Sequence, residues 1–342
     1  MCRQDTRDLK AASPDNQPKQ KSTTTYTPTV VQRSGLQVAQ PQNKKPPPNA
    51  NPTTMSTPLF SVLIANYNNG RYLMDAIESV RCQTYTHWEI VIVDDGSTDN
   101  SKTVYEGLKN DSHIRIFHND ENKGCGYTKR RCAELAKGEI CGFLDADDCI
   151  TPDAIEKMTN AHIQKPQCSL IYSTFYNADN HLNIISVSNH QCTIPDNKSF
   201  LTFNVPGAIS HFATFKKDRY NQTQGINPLM LKAVDVDLYL KLEEKGELFF
   251  IPQPLYYYRT ETGNNISLGR DNSIKATYWD FIARLNAYQR RNLPIENITY
   301  STLSSLYKEA FSDGQDDIRN TCSYRTGKKI ITPFRFLARI IK

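Results

Sequence analysis

The chain has 342 residues, with 41 Lys and Arg against 36 Asp and Glu, a formal net charge of +5. The first 58 residues hold 8 of the basic and 3 of the acidic side chains, so they carry the whole excess, and residues 59–342 balance at 33 of each. A neutral body leaves no electrostatic footprint for nucleic acid, and no run of 18 apolar residues exists to span a bilayer.

Residues 1–58 are rich in Gln, Thr, Ser, Asn, Lys and Pro, as in "NKKPPPNANPTT". Too few apolar groups are present to offset the entropy of ordering, so the composition predicts a disordered tail. No apolar h-region follows the basic residues, which argues against a signal peptide. Met55, just before the first strand-like run, is an alternative start. Nine cysteines form no C-x-x-C pair and are odd in number. That pattern suits a reducing cytoplasm and argues against a disulfide frame or a zinc site.

From Phe60 the pattern becomes regular. "FSVLIA" is an apolar run of strand length, and the turn cluster "NYNNG" follows it. "RYLMDAIESVRCQ" spaces Leu73, Ile77 and Val80 for a helix. "WEIVIVDDGSTDNS" reads as a buried strand, then acids, then a helix start at Ser97 and Thr98. "IRIFHN" is a further strand, and "GYTKRRCAELAKGE" a short helix stopped at Gly138. "EICGFLDADD" is strand again, and "PDAIEKMTNAHIQ" a helix with Pro152 near its first turn. Alternating strands and helices predict a mostly parallel, doubly wound α/β sheet, whose ligands sit at the carboxyl ends of the strands. Three polar clusters fall at those ends: Asn66–Asn69, Asp94–Asp99 and Asp145–Asp148. Beyond about residue 200 the pattern loosens. "AVDVDLYLKLEEKGELFFIPQPLYYYR" reads as helix, Gly stop and Tyr-rich strand, and residues 275–320 as peripheral helix.

The stretch "LDADD" packs Asp145, Asp147 and Asp148 into four residues, and carboxylates that close repel one another. An Asp-x-Asp at a strand end can chelate Mg²⁺ or Mn²⁺, which relieves the repulsion and can bridge two phosphates. The motif alone is weak, and Asp235-x-Asp237 repeats it. In "VIVDDGSTD", the next helix start explains Ser97 to Asp99 and leaves Asp94 and Asp95 unexplained.

Together, "SVLIANYNNGRYLMDAIESVRCQTYTHWEIVIVDDGSTDNS", "NKGCGYTKRRCAELAKGEICGFLDADDCITPD" and "AVDVDLYLKL" resemble the family 2 glycosyltransferases in order and spacing. The resemblance covers Phe60 to about Ser267. It implies a GT-A fold over residues 59–267, a helical extension over 268–342, and inverting transfer from a nucleotide diphosphate sugar, with uridine the commonest donor base. It places Ala65 and Tyr67 against the base, Asp94 and Asp95 on base or ribose, and Lys129 toward phosphate with Arg130 as a nearby substitute. Asp145 would contact ribose or metal-bound water, Asp147 the metal, and Asp235 would be the base, with Asp237 structural or on the acceptor side. Arg259 would reach the diphosphate from a closing loop. His211 is open between facing an acceptor and being a satisfied, partly buried histidine.

The chain departs from the family pattern at Lys129, where Arg is usual, and at Val234, where the base is preceded by Glu. Those departures keep a degenerate, binding-only member open. A nucleotidyltransferase would need a Gly-rich loop after the first strand, and a dehydrogenase G-x-G-x-x-G; "ANYNNG" is neither. The resemblance further implies a bacterial surface-polysaccharide role with a saccharide or lipid-linked acceptor. The basic, apolar end "KKIITPFRFLARIIK" suits peripheral contact with the inner face of the plasma membrane, or a terminal helix packed on the body.

Overall fold

A computed structural model describes residues 57–203, 205–260 and 270–295. The expected tail, the boundary at 267/268 and the basic C-terminal stretch lie outside these residues. The elements are β1 (Phe60–Asn66), α1 (Leu73–Arg81), β2 (Trp88–Asp94), α2 (Ser101–Leu108), β3 (Ile114–His118), α3 (Cys125–Leu135), β4 (Ile140–Phe143) and β5 (Cys149–Ile150). They continue with α4 (Ala154–Gln164), β6 (Cys168–Ala178), β7 (Ile184–Val187), β8 (Ala213–Lys216), α5 (Lys217–Asn221), α6 (Val234–Glu243), β9 (Glu247–Arg259) and α7 (Arg270–Arg290).

The strands form one sheet in the order β3-β2-β1-β4-β8-β6-β9-β5, with β7 beside β6. The first four are mutually parallel, as their alternation with helices predicts. The sheet then turns mixed: β8 runs antiparallel to both β4 and β6, β9 parallel to β6, and β5 antiparallel to β9. The antiparallel join falls in the region where the sequence pattern loosens.

The apolar runs of β1 and β2 serve two cores, because successive side chains on a strand face opposite sides. Val62, Ile64, Ile90 and Ile92 pack with Leu73, Ile77 and Val80 of α1 and with Ile155 and Met158 of α4. Leu63, Val91 and Val93 pack with Cys132 and Ala133 of α3 and Leu238, Tyr239 and Leu242 of α6. Each such fully buried side chain contributes about 1.5–3 kcal/mol. Ala283 and Ala287 of α7 lie in this second core, and Phe281 is buried as well. The helical pattern read as peripheral is therefore part of the domain's packing.

Two glycines mark close approaches of backbone. A Cβ on Gly126 would stand 2.5 Å from the Met230 carbonyl oxygen, so the loop before α6 can dock on the first turn of α3. Gly138 is not the stop of α3, which ends at Leu135. Its Cβ would stand 2.5 Å from the Leu59 carbonyl oxygen, and its N–H donates to Ser61 Oγ at 2.8 Å.

The loop before α6 is held from behind by a buried ion pair. Lys241 Nζ lies 2.6 Å from Asp237 Oδ2 and donates to the Gly225 carbonyl at 2.7 Å, while Asn227 N–H donates to Asp237 at 3.0 Å. Asp237 is therefore buried, as the structural one of the two places open to it would have it. Lys241→Met leaves that carboxylate buried and uncompensated, and is expected to cost about 3–5 kcal/mol in urea unfolding. Pairing it with Asp237→Leu should recover most of the loss; a double variant as unstable as the single one would show that the pair is not what holds the loop.

Candidate active site

The parallel arrangement brings the carboxyl ends of β1, β2 and β4 to one edge of the sheet. Asn66 ends β1 opposite Asp94, and Leu144 N–H donates to the Leu63 carbonyl, so the chain leaves β4 at Asp145 beside the end of β1.

The three clusters behave differently there. Asp94 is buried and engaged: Tyr105 hydroxyl donates to it at 2.8 Å, the Ser97 N–H at 3.1 Å, and His118 Nδ1 stands 3.7 Å away. Those contacts tie Asp94 into the fold at the end of β2. The expected helix start moves for a related reason. Helix α2 begins at Ser101, and Ser97 and Asp99 instead accept the backbone N–H groups of Asn68 and Gly70, pinning the loop after β1. Asp95 accepts three bonds, from Asn119 Nδ2, Lys123 N–H and Gly124 N–H. A carboxylate offers about four acceptor positions, so Asp95 keeps one for a ligand while shaping the entry to α3. Ala65 is half-buried and Tyr67 is 46% exposed beside it, open to stack on a planar ring.

The turn after β4 is the charged centre. Lys129 Nζ, from α3, lies 2.9 Å from Asp145 Oδ1, and His211 Nε2 lies 3.7 Å from Oδ2. Burial alone would push the Asp145 carboxyl up, but the Lys129 ammonium and His211 override it and hold it at about 2. Burial would likewise pull Lys129 down, yet the charges of Asp145 and Asp235 keep it above the ordinary lysine range. His211 is stacked on Tyr256 at 4.7 Å between ring centroids, and burial lowers its pKa against the pull of Asp145. The neutral imidazole is therefore favoured at neutral pH.

Asp235 sits exposed in the first turn of α6, and its charge acts on Lys129, His211 and Tyr239. Residues from β4, α3, the segment before β8 and α6 thus share one electrostatic neighbourhood. Val234, where the family pattern has Glu, packs in the second core.

The contacts of three neighbours of this centre were not legible in the sequence. Asp148 is buried, accepts the Tyr256 hydroxyl at 2.8 Å and the Arg259 N–H at 2.8 Å, and is pushed well above the usual carboxyl range by burial and by Asp147 and Asp145. Tyr256 accepts the Asp145 N–H at 3.2 Å. Arg259, at the end of β9, is 1% exposed; its guanidinium donates to the Asp147 carbonyl and to Asp75, and lies 4.8 Å over the Tyr72 ring. Arg259 is thus a clamp on the Asp145–Asp148 turn, not a loop residue reaching outward. Arg130 is also turned elsewhere, to the carbonyls of Gln224 and Ile226, so of this adjacent pair it is Lys129 that meets Asp145.

The family model described as Glycosyl transferase family 2 matches residues 61–223, which include β1, β2, α3 and the Asp145–Asp148 turn. The chain belongs to glycosyl transferase family 2. Among its relatives within the family, chondroitin synthase of Escherichia coli is 30% identical over 251 residues, 72% of this chain and 36% of that protein. The chain thus spans about a third of the length of that relative.

The fold has solved counterparts. S. aureus TarS 1-349 in complex with UDP-GlcNAc gives a TM-score of 0.54 at 19% identity, over 75% of this chain and 74% of that one. A mannosyltransferase of Pyrobaculum calidifontis in complex with GDP-Man and Mn²⁺ gives 0.50 at 14%, over 83% and 84%. At these identities the likeness shows the fold, which is the GT-A arrangement.

The residues fit a hard divalent cation of one kind. Among the described residues no group of three or more His, Cys, Asp or Glu converges as a ready metal cage. Asp145 and Asp147 alone offer hard oxygen ligands, half-buried at a strand end. Such a pair suits Mg²⁺ or Mn²⁺, which take one or two carboxylates and complete their shell with water and substrate phosphate.

Proposed function

We propose that this chain transfers a sugar, with inversion, from a nucleotide diphosphate sugar to a saccharide acceptor. The observation that carries it is the shared neighbourhood of Asp145, Lys129, His211 and Asp235 at the carboxyl ends of β1 and β4. The donor base lies between Ala65 and Tyr67, with Asp95 offering its remaining acceptor position. Uridine is supported as the base by the UDP-GlcNAc complex of the TarS structure. Asp147, with Asp145, would hold Mg²⁺ or Mn²⁺. Bound there, the ion would neutralise charge on the departing diphosphate.

Asp235 is the base. It takes the proton of the acceptor hydroxyl as that oxygen bonds to the anomeric carbon from the face opposite the diphosphate, whose bond to the same carbon breaks. Its exposed place at the start of α6 leaves it open to an incoming acceptor. Arg259 and Tyr256 keep the turn bearing Asp145 and Asp147 in register with β9, so these carboxylates are placed before substrate arrives. The acceptor belongs to a polysaccharide pathway, an assignment supported by relatives named chondroitin and hyaluronan synthases. A lipid-linked form of that acceptor would suit the basic residues 328–342, which lie outside the described residues. Among the described residues no helix is long and apolar enough to cross a membrane.

The test is a thermal-unfolding panel with UDP, GDP, CDP and TDP, each with Mn²⁺ or with EDTA. A ligand at about a hundred times its Kd stabilises by about 2.7 kcal/mol, a rise of a few degrees for a chain of this size. One nucleotide is expected to raise the melting temperature in Mn²⁺ and lose most of that effect in EDTA. A flat panel would turn the reading toward a degenerate, binding-only member of the family.

A further inference from the structure

The Asp145 carboxylate already has a cation of the protein itself against one of its oxygens. Lys129 Nζ stands 2.9 Å from Oδ1, and His211 Nε2 3.7 Å from Oδ2. Lys129 is well sheltered, its side chain 16% exposed and its ammonium 5.3 Å over the Phe143 ring. Desolvated charges in such a place require a partner, and the ammonium and the carboxylate supply it to each other. A divalent ion sharing Asp145 would face a like charge within a few ångströms, where repulsion between partly buried groups is only weakly screened.

We propose that Lys129 is the resident counter-cation of Asp145, so that a divalent ion gains this carboxylate only together with a diphosphate that draws the ammonium away. The proposal rests on the donor-site reading above. The residue type matters. Lysine carries a compact charge on a flexible four-carbon stem, whereas the arginine usual in the family grips a carboxylate with a rigid fork. A single ammonium can exchange one anionic partner for another by rotating its stem. A diphosphate supplies the second partner and, through its own oxygens, the ligands that two carboxylates leave unfilled. The consequence is an order of events. Without nucleotide the site is electrically closed and holds metal weakly; with nucleotide, metal and diphosphate enter as a unit.

The measurement is Mn²⁺ affinity, from the electron paramagnetic resonance signal of the free ion, on the full-length protein with and without UDP or the diphosphate selected by the panel. The native protein should bind Mn²⁺ at least about tenfold more tightly with the nucleotide present, the scale expected when a neighbouring like charge is relieved. Lys129→Met should bind Mn²⁺ without nucleotide at least about tenfold more tightly than native, and lose most of the nucleotide's gain. Lys129→Arg should stay as weak as native in nucleotide-free solution.

Should the methionine variant fail to fold by circular dichroism, Lys129→Gln removes the charge while keeping a hydrogen-bond donor toward Asp145, and the same gain is expected. Nucleotide-free Mn²⁺ affinity unchanged in these variants would overturn the counter-cation and leave the donor site standing. Native protein that binds no diphosphate, with or without Mn²⁺, would overturn both.

Discussion

Asp235→Asn is expected to lower turnover by about 10²–10⁴-fold while leaving donor binding within about twofold of the native protein. The separation follows from where Asp235 sits. It is exposed at the first turn of α6, on a different element from the turn that bears Asp145 and Asp147. No hydrogen bond of the fold is assigned to its side chain among the described residues, so an isosteric amide removes a proton acceptor without opening a cavity. The neighbouring acid Asp237 makes the control. It is buried on Lys241, and Asp237→Asn should appear first as lost stability, not as lost chemistry at native stability. Turnover with any donor accepted by the native protein, read beside calorimetric binding of the matching nucleotide, decides between them. An Asp235→Asn variant with near-native turnover would remove it as the base and turn attention to His211, which shares the same neighbourhood.

The second large effect is at the metal. Asp147→Ala is expected to abolish the Mn²⁺-dependent part of nucleotide stabilisation and to lower turnover by about 10²–10³-fold, the equivalent of the few kcal/mol of charge stabilisation a bound ion supplies. The side chain is half-buried and its backbone carbonyl is anchored by Arg259, so the turn should keep its path when the carboxylate is removed. Melting temperatures of the ligand-free variant and the native protein are therefore expected to agree within a few degrees. Nucleotide stabilisation that survives in Asp147→Ala and still responds to EDTA would place the ion elsewhere; stabilisation that ignores EDTA in the native protein would remove the ion from the donor site altogether.

Much of the candidate site could be proposed without coordinates because strand-end chemistry is local. The apolar runs of β1, β2 and β4, with polar residues immediately after each, state where a parallel sheet ends and where a ligand would lie. Asp145 and Asp147 follow β4 directly, and the helical spacing of α6 puts Asp235 in its first turn. The expected helix start at Ser97 failed for a reason that lies outside that stretch. Ser97 is a good cap, yet its hydroxyl is used by the N–H of Asn68, and Asp99 divides its oxygens between Ser101 at the start of α2 and Gly70, about thirty residues earlier in the chain. Competition between nearby and distant donors for one acceptor leaves no trace in a single stretch of sequence.

Partnership was decided by tertiary structure. Asp94 and Asp95 are adjacent and chemically identical, and only the approach of Tyr105 and Ser97 to one, and of Asn119, Lys123 and Gly124 to the other, gives them different partners. Lys129 and Arg130 are likewise adjacent and basic, but a helix turns by about 100° per residue, so one meets Asp145 and the other the carbonyls of the loop before α6. Arg259 follows a Tyr-rich strand and could as well begin a mobile loop; pairing of β9 with β6 buries it instead beneath the Asp145–Asp148 turn. Family, fold and the main acids are properties of residue order and spacing, which the chain carries by itself. Which carboxylate is spent, which is clamped and which is left for chemistry depends on groups up to about 180 residues apart meeting within hydrogen-bond reach, and only the folded chain brings them together.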